Sequence, residues 1–133
     1  MIFVDSNVPM YLIGAAHPHK TEAQILLERL AAEGQRLVTD AEVLQEILHR
    51  YTAIDKREAI RPALQATLDI VDQVMAIEKT EVLRAGEIVQ GPASLSARGA
   101  VHIAVMERYG IRKILSFDAD FDRWPGFERI HRI

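Results

Sequence analysis

A chain of 133 residues is long enough for one domain around one core and too short for two ordinary domains. Its 16 Lys and Arg against 19 Asp and Glu leave a net charge of −3, which excludes a broad basic coat for nucleic acid. Any nucleic-acid contact must therefore run through local basic patches or a metal. With 49% hydrophobic residues and no cysteine, the chain is neither disordered nor disulfide-held, and thiolate zinc sites and cysteine nucleophiles are excluded.

The longest apolar stretch, Val8 to Ala16, is broken by Pro9 and Gly14. It falls far below the ~20 residues that a membrane helix needs. No basic segment precedes Asp5, so no signal peptide is expected and the chain is expected to act in the cytoplasm.

Ile2-Phe3-Val4 is an all-apolar run stopped by Asp5, the pattern of a strand buried on both faces. Val8 to Gly14 reads as a short helix. Pro18 introduces a longer one, His19 to Glu33, with Ala23, Leu26, Leu27 and Leu30 at helical spacing and Gly34 as its stop. Leu37-Val38-Thr39 predicts a second strand. Asp40 ends it and is placed to cap the helix Ala41 to Tyr51, whose apolar stripe is Leu44, Ile47, Leu48 and Tyr51. A helix from Arg57 to Val71 follows, then a short strand over Val74 to Ile77. Thr80 to Val89 and Ser96 to Tyr109 predict two more helices, broken by Gly91-Pro92 and Gly110. Ile114 to Phe117 predicts a strand, and Glu128 to Ile133 a final edge strand. Short strands alternating with helices indicate an α/β fold: one domain over residues 1–133, with a mostly parallel central sheet flanked by helices.

The pattern with chemical content is a strand followed at once by aspartate, seen at Asp5, Asp40 and Asp118. Parallel strands end on one edge, so these distant positions converge outside the carboxyl ends, where ligands bind. Asp118 also opens the acidic run Asp118-Ala119-Asp120-Phe121-Asp122. Crowded carboxylates raise one another's pKa unless a cation lies between them, and hard divalent ions such as Mg2+ or Mn2+ take oxygen ligands. A metal site that cleaves phosphate esters is the sharp reading. The plainer one is that aspartate caps turns, and Asp40 fits that role better than a ligand's. Glu42 and Glu46 both fall opposite the apolar stripe of their helix, and periodicity does not choose between them.

Four blocks carry a resemblance: Ile2-Phe3-Val4-Asp5-Ser6-Asn7, Val43-Leu44-Gln45-Glu46, Leu95-Ser96-Ala97-Arg98-x-Ala100-x-His102-x-Ala104, and Ser116-Phe117-Asp118-x-Asp120-Phe121. In order and spacing they resemble the PIN-domain family, and within it the VapC-type toxins of bacterial toxin–antitoxin pairs. The resemblance spans essentially the whole chain. It implies an Mg2+- or Mn2+-dependent ribonuclease acting on structured RNA such as tRNA or rRNA, held inactive by a VapB antitoxin and forming a homodimer. It implies Asp5, Asp118 and Asp120 as metal ligands, Glu46 as the helix glutamate of the site, and Ser6 and Asn7 as supports around Asp5.

The family places an aspartate where this chain has Gly99. A glycine in the first turn of a helix capped by Ser96 costs roughly 1 kcal/mol against alanine, and an acid there would favour the helix dipole. Gly99 either replaces a catalytic aspartate by design, silencing a toxic nuclease, or marks a natural loss. The intact remaining blocks favour the first, and the chain as written is expected to be nearly inactive. Arg98, Arg112, Lys113 and Arg123 lie near the acids in sequence and are candidates for RNA phosphate contacts, against the plainer role of solvated surface charges.

Other readings are weaker. Glu46-x-x-His49 lacks the second such pair and the bundle that a di-iron site requires. His17-Pro18-His19 lacks a third zinc ligand and reads as a turn before a helix. Asn7 cannot supply the second acid of a phosphoaspartyl hydrolase, and no glycine-rich phosphate loop occurs. His102 shares a helix face with Gly99, but a surface or packed histidine is the default. The alternative function is a catalytically dead PIN-like module that binds RNA or a protein, with Val8, Met10, Tyr11, Leu12 and Ile13 as core or as a partner-binding face.

Overall fold

The computed structural model describes residues 1–132. Five short strands, β1 (Ile2–Val4), β2 (Leu37–Asp40), β3 (Gln73–Met75), β4 (Lys113–Leu115) and β5 (Glu128–Ile130), form one sheet in the order β3-β2-β1-β4-β5. Every neighbouring pair is parallel. Six α-helices connect and cover them: α1 (Asn7–Ile13), α2 (Pro18–Ala32), α3 (Ala41–Ala53), α4 (Ile60–Ile70), α5 (Lys79–Gln90) and α6 (Ala97–Tyr109). The α/β architecture expected from the sequence is the one observed.

The central strand shows why the chain folds this way. Phe3 points into a core built with Val43 and Ile47 of α3, Ile88 of α5 and Ile103 of α6. Its neighbours Ile2 and Val4 point the other way, into a second core with Val8 of α1 and Leu26 and Leu30 of α2. A strand buried on both faces must be apolar at every position, and each such side chain removed from water contributes about 1.5–3 kcal/mol.

Local signals set the helix ends. The Asp40 carboxylate accepts the Val43 amide at 3.0 Å and starts α3, as expected of a cap. Ser96 Oγ accepts the Gly99 amide at 3.0 Å and starts α6, which ends on Gly110 in the left-handed region at φ 67°. The His17 ring caps α2 by accepting the His19 amide at 3.0 Å, with Pro18 in the first turn.

Three elements differ from the expectation. The Arg57–Val71 helix divides into a 3-10 turn, Arg57–Ala59, and α4. The third strand begins at Gln73 and ends at Met75. The fourth strand ends at Leu115, because the Phe117 amide leaves the ladder and donates to Asn7 Oδ1 at 3.3 Å. The expected Glu128–Ile133 edge strand spans only Glu128–Ile130; His131 and Arg132 follow it outside the ladder, and Ile133 lies outside the described residues.

Two glycines should respond to alanine with opposite signs. Gly110→Ala forces a Cβ into a left-handed residue and should cost about 1 kcal/mol. Gly86→Ala, in the interior of α5 with nothing within 4 Å of the added Cβ, should stabilise by about 0.4–1 kcal/mol. Urea unfolding of the two variants checks both signs.

Candidate active site

The strand order reverses direction at β1: the chain runs outward through β2 and β3 on one side and through β4 and β5 on the other. Parallel sheets open a crevice outside the carboxyl ends at such a point. Asp5 stands at the end of β1 and Ser116 to Asp118 at the end of β4. The Asp5 amide donates to the Leu115 carbonyl at 3.0 Å, tying the two strand ends together.

The Asp5 carboxylate is buried and held on both oxygens. Oδ1 accepts the Ser6 amide at 2.8 Å. Oδ2 accepts the Ser116 hydroxyl at 2.6 Å and the Asn7 side-chain amide at 3.3 Å. Asn7 Nδ2 also lies 3.3 Å from Ser116 Oγ, and that hydroxyl accepts the Asp118 amide at 3.0 Å. Residues more than a hundred positions apart thus form one hydrogen-bonded unit.

Opposite Asp5, α3 brings Glu46 into the cleft, where Glu46 Oε2 accepts the Ser6 hydroxyl at 2.5 Å. His102, on α6, is only 1% exposed and lies 2.8 Å from Asp40 Oδ2 through Nδ1 and 2.8 Å from Glu46 Oε1 through Nε2. Its Nε2 is also 3.9 Å from Asp5 Oδ1. A neutral imidazole has one nitrogen that only accepts, so two carboxylates at these distances call for the imidazolium. Burial alone would push the His102 pKa down, but Asp40 and Glu46 overcome it and hold the value well above the usual range. Burial and the neighbouring Glu46 raise Asp5 against the opposing pull of His102 and Ser116. Burial also pushes Glu46 up, yet its bonds to His102 and Ser6 leave it net lowered and therefore ionised.

The cleft bounded by Asp5, Glu46, Arg98, Gly99, His102 and Asp118 holds about 210 Å³. Asp5, Glu46 and His102 each offer a ligand atom within 4.8 Å of the other two. Because His102 already engages carboxylates through both nitrogens, the remaining donors are oxygens, the set that suits a hard divalent cation.

The structure places the sequence-selected residues unequally. Asp5, Ser6, Asn7, Glu46, Gly99 and Asp118 all line the cleft, and Arg98 stands at its rim, 3.7 Å from Glu42. Asp120 turns away to pair with Arg123 at 3.1 Å, while Asp122 pairs with Arg129 at 2.9 Å. Arg112 and Lys113 are not at the site. Arg112 precedes β4 and Lys113 opens it, so the strand's length separates them from the carboxyl edge, and Lys113 faces Glu128 at 4.0 Å. His102 is neither a surface residue nor packing alone. Its position three residues after Gly99, on one face of α6, is the one hint in the sequence, and the core-like pattern around it outweighs that hint.

Folding strengthens the hold of His102 on its proton. The stability it contributes is full below its unfolded pKa of about 6.5 and is lost as pH rises through the higher folded value. Asp5, also raised, adds a loss of the same sign that begins lower, above its unfolded value of about 3.9. Urea unfolding of the chain should therefore show stability falling as pH rises above about 6.5, with a shallower fall in His102→Gln. Equal slopes would contradict the ion-paired imidazolium.

Comparison with known proteins agrees with this geometry. A family model described as the PIN domain matches residues 2–126. Ribonuclease VapC13 of Mycobacterium tuberculosis is 56% identical over 130 residues, covering 98% of this chain and 99% of that protein. Ribonuclease VapC23 of the same species is 34% identical over 118 residues, covering 89% of this chain and 93% of the relative. The crystal structure of M. tuberculosis VapC20, described as a sarcin-ricin loop cleaving toxin, superposes with a TM-score of 0.74 at 27% identity, covering 98% of this chain and 99% of that one. The chain belongs to the PIN-domain family and, within it, to the VapC proteins.

Proposed function

We propose that this chain is a metal-dependent endoribonuclease toxin that uses Mg2+ or Mn2+ to cleave structured RNA, tRNA or rRNA, and is neutralised by a cognate VapB-type antitoxin. The observation that carries the reading is the buried, fully hydrogen-bonded Asp5 facing Glu46 and Asp118 across one cleft at the switch point of the sheet. The ribonuclease names of the VapC relatives support RNA as the substrate, and the description of VapC20 as a sarcin-ricin loop cleaving toxin supports cleavage. A homodimer and a cytoplasmic site of action belong to the same reading through the family alone.

The oxygens of Asp5, Glu46 and Asp118 would hold the cation. A divalent ion there supplies positive charge to the phosphate and makes water more acidic. The residues do the rest. Ser6, Asn7 and Ser116 fix the Asp5 carboxylate in one orientation, so no reorganisation is needed when substrate arrives. Glu46, ionised and anchored by Ser6 and His102, is placed to accept a proton from attacking water or to hold the cation through water. His102 lies between Glu46 and Asp40 and bonds both, which keeps Glu46 ionised and fixed in the cleft. Arg98 at the rim is placed for a phosphate contact.

Gly99 weakens this machinery. It is the third residue of α6, lines the cleft, and has no left-handed backbone that would demand glycine. A Cβ there meets Ser96 Oγ at 3.2 Å and Phe121 at 3.7 Å, so an aspartate fits once the serine hydroxyl gives by a few tenths of an ångström. That aspartate would add an oxygen ligand and sit favourably at the helix N-terminus. The same observation favours a second reading, a catalytically silent module that still binds RNA or protein.

Restoring the acid separates the two readings. Gly99→Asp should tighten Mg2+ binding by more than about tenfold in calorimetry and bring Mg2+-dependent cleavage of a mixed tRNA and rRNA substrate. RNA binding without cleavage in both forms supports the silent module. In the Gly99→Asp background, Asp5→Asn should abolish cleavage in the same gel assay, and undiminished cleavage would remove Asp5 from the site.

A further inference from the structure

Beside the carboxylate cleft lies a cluster of four rings that the proposed chemistry leaves unused. His17 stacks on Tyr11 with centroids 4.8 Å apart and planes at 28°. His19 stacks on Phe117 at 4.3 Å and 15°. Tyr11 meets Phe117 edge-on at 5.5 Å and His19 edge-on at 5.1 Å. We propose that this ring cluster is a stacking platform for one base of a single-stranded RNA segment whose phosphate enters the cleft. The proposal rests on the ribonuclease reading and adds where an unpaired nucleotide is gripped.

Three observations favour it. The cluster joins the site directly, because Phe117 sits between Ser116 and Asp118 and its amide donates to Asn7 Oδ1, while Asn7 also bonds Asp5. Tyr11 lies one helical turn beyond Asn7, about 6 Å along α1, within reach of a neighbouring nucleotide. The two imidazoles reach solvent, His17 exposed and the His19 side chain 35% exposed, on a base formed by half-buried Tyr11 and by Phe117, which packs against the second core. Exposed π-faces bind bases without needing a particular sequence.

The groove beside the rings combines apolar walls from Met10, Tyr51 and Ile54 with positive charge. Tyr11, His17 and Arg50 line a groove of about 420 Å³, and Lys20 stands at its edge on the Gly14 carbonyl, 2.9 Å away. Arg50 and Lys20 thus put positive charge beside the rings, which suits a phosphate flanking the stacked base. His17 Nδ1 accepts the His19 amide, which leaves its Nε2–H free to donate outward to a base or ribose oxygen.

The test pairs ring removal with base removal. His17→Asn keeps an oxygen to cap α2, and His19→Gln keeps a partner for Glu22, so the double variant deletes both imidazoles while preserving the local bonds. Fluorescence anisotropy with the full chain measures affinity for a short single-stranded oligoribonucleotide and for the same oligomer carrying one abasic nucleotide at successive positions. The platform requires the unaltered chain to lose on the order of tenfold affinity at one abasic position. It also requires the double variant to lose a similar factor on intact RNA and almost nothing further at that position. Losses that add independently assign the rings a structural role and overturn the proposal. Unchanged oligonucleotide affinity overturns it too and leaves the groove to a protein segment. If the double variant does not fold, Phe117→Leu serves in the same cycle. Metal-dependent cleavage by Gly99→Asp together with an uncoupled cycle overturns the platform and leaves the ribonuclease reading standing. Absence of both RNA binding and cleavage removes both.

Discussion

The site depends on keeping several carboxylates ionised in a small, poorly hydrated volume. Asp5 and Asp40 are 5% and 0% exposed, Glu46 lies beside them, and desolvation opposes charge on Asp5 and Glu46. The His102 imidazolium is the fold's own answer. It holds Asp40 and Glu46 at 2.8 Å each, and Asp40 in turn anchors the start of α3, the helix that carries Glu46. One buried cation therefore fixes both the charge state and the position of the glutamate. Asp5 lies 3.9 Å from that cation, beyond hydrogen-bond reach, and burial pushes its carboxyl up against the pull of His102 and Ser116. Under the proposed function, a divalent cation on the open side of the cleft would supply the remaining positive charge.

Much of this was legible in the sequence because it rests on local rules. An apolar triplet followed by aspartate reads as a buried parallel strand delivering an acid to the ligand edge, and Asp5 and Asp118 line the cleft. Asp40 and Ser96 read as helix caps, and both cap. Periodicity left Glu42 and Glu46 equivalent. The resemblance selected Glu46, and the structure turns Glu46 into the cleft while leaving Glu42 beside Arg98.

The rest required three dimensions. His102 sits among Ala100, Ile103 and Ala104 on a buried helix, so its pattern is that of core, and its partner Asp40 is 62 residues away. Arg112 and Lys113 are close to Asp118 in number, but a strand advances about 3.3 Å per residue and separates them from the carboxyl edge. Asp120 was grouped with Asp118 by sequence, whereas the 3-10 turn from Ala119 to Arg123 sets it three residues from Arg123 and pairs the two. The His17-Pro18-His19 turn showed no chemistry as a string, and its meaning comes from Tyr11 and Phe117 arriving from other elements.

Anomalous diffraction from crystals of the Gly99→Asp chain soaked in Mn2+ tests the central claim most directly. The account requires a peak in the cleft, with oxygens of Asp5 and Asp118 as ligands at roughly 2.1 Å and Glu46 direct or through water. A cleft without a peak, or Mn2+ bound only at distant surface carboxylates, would contradict it.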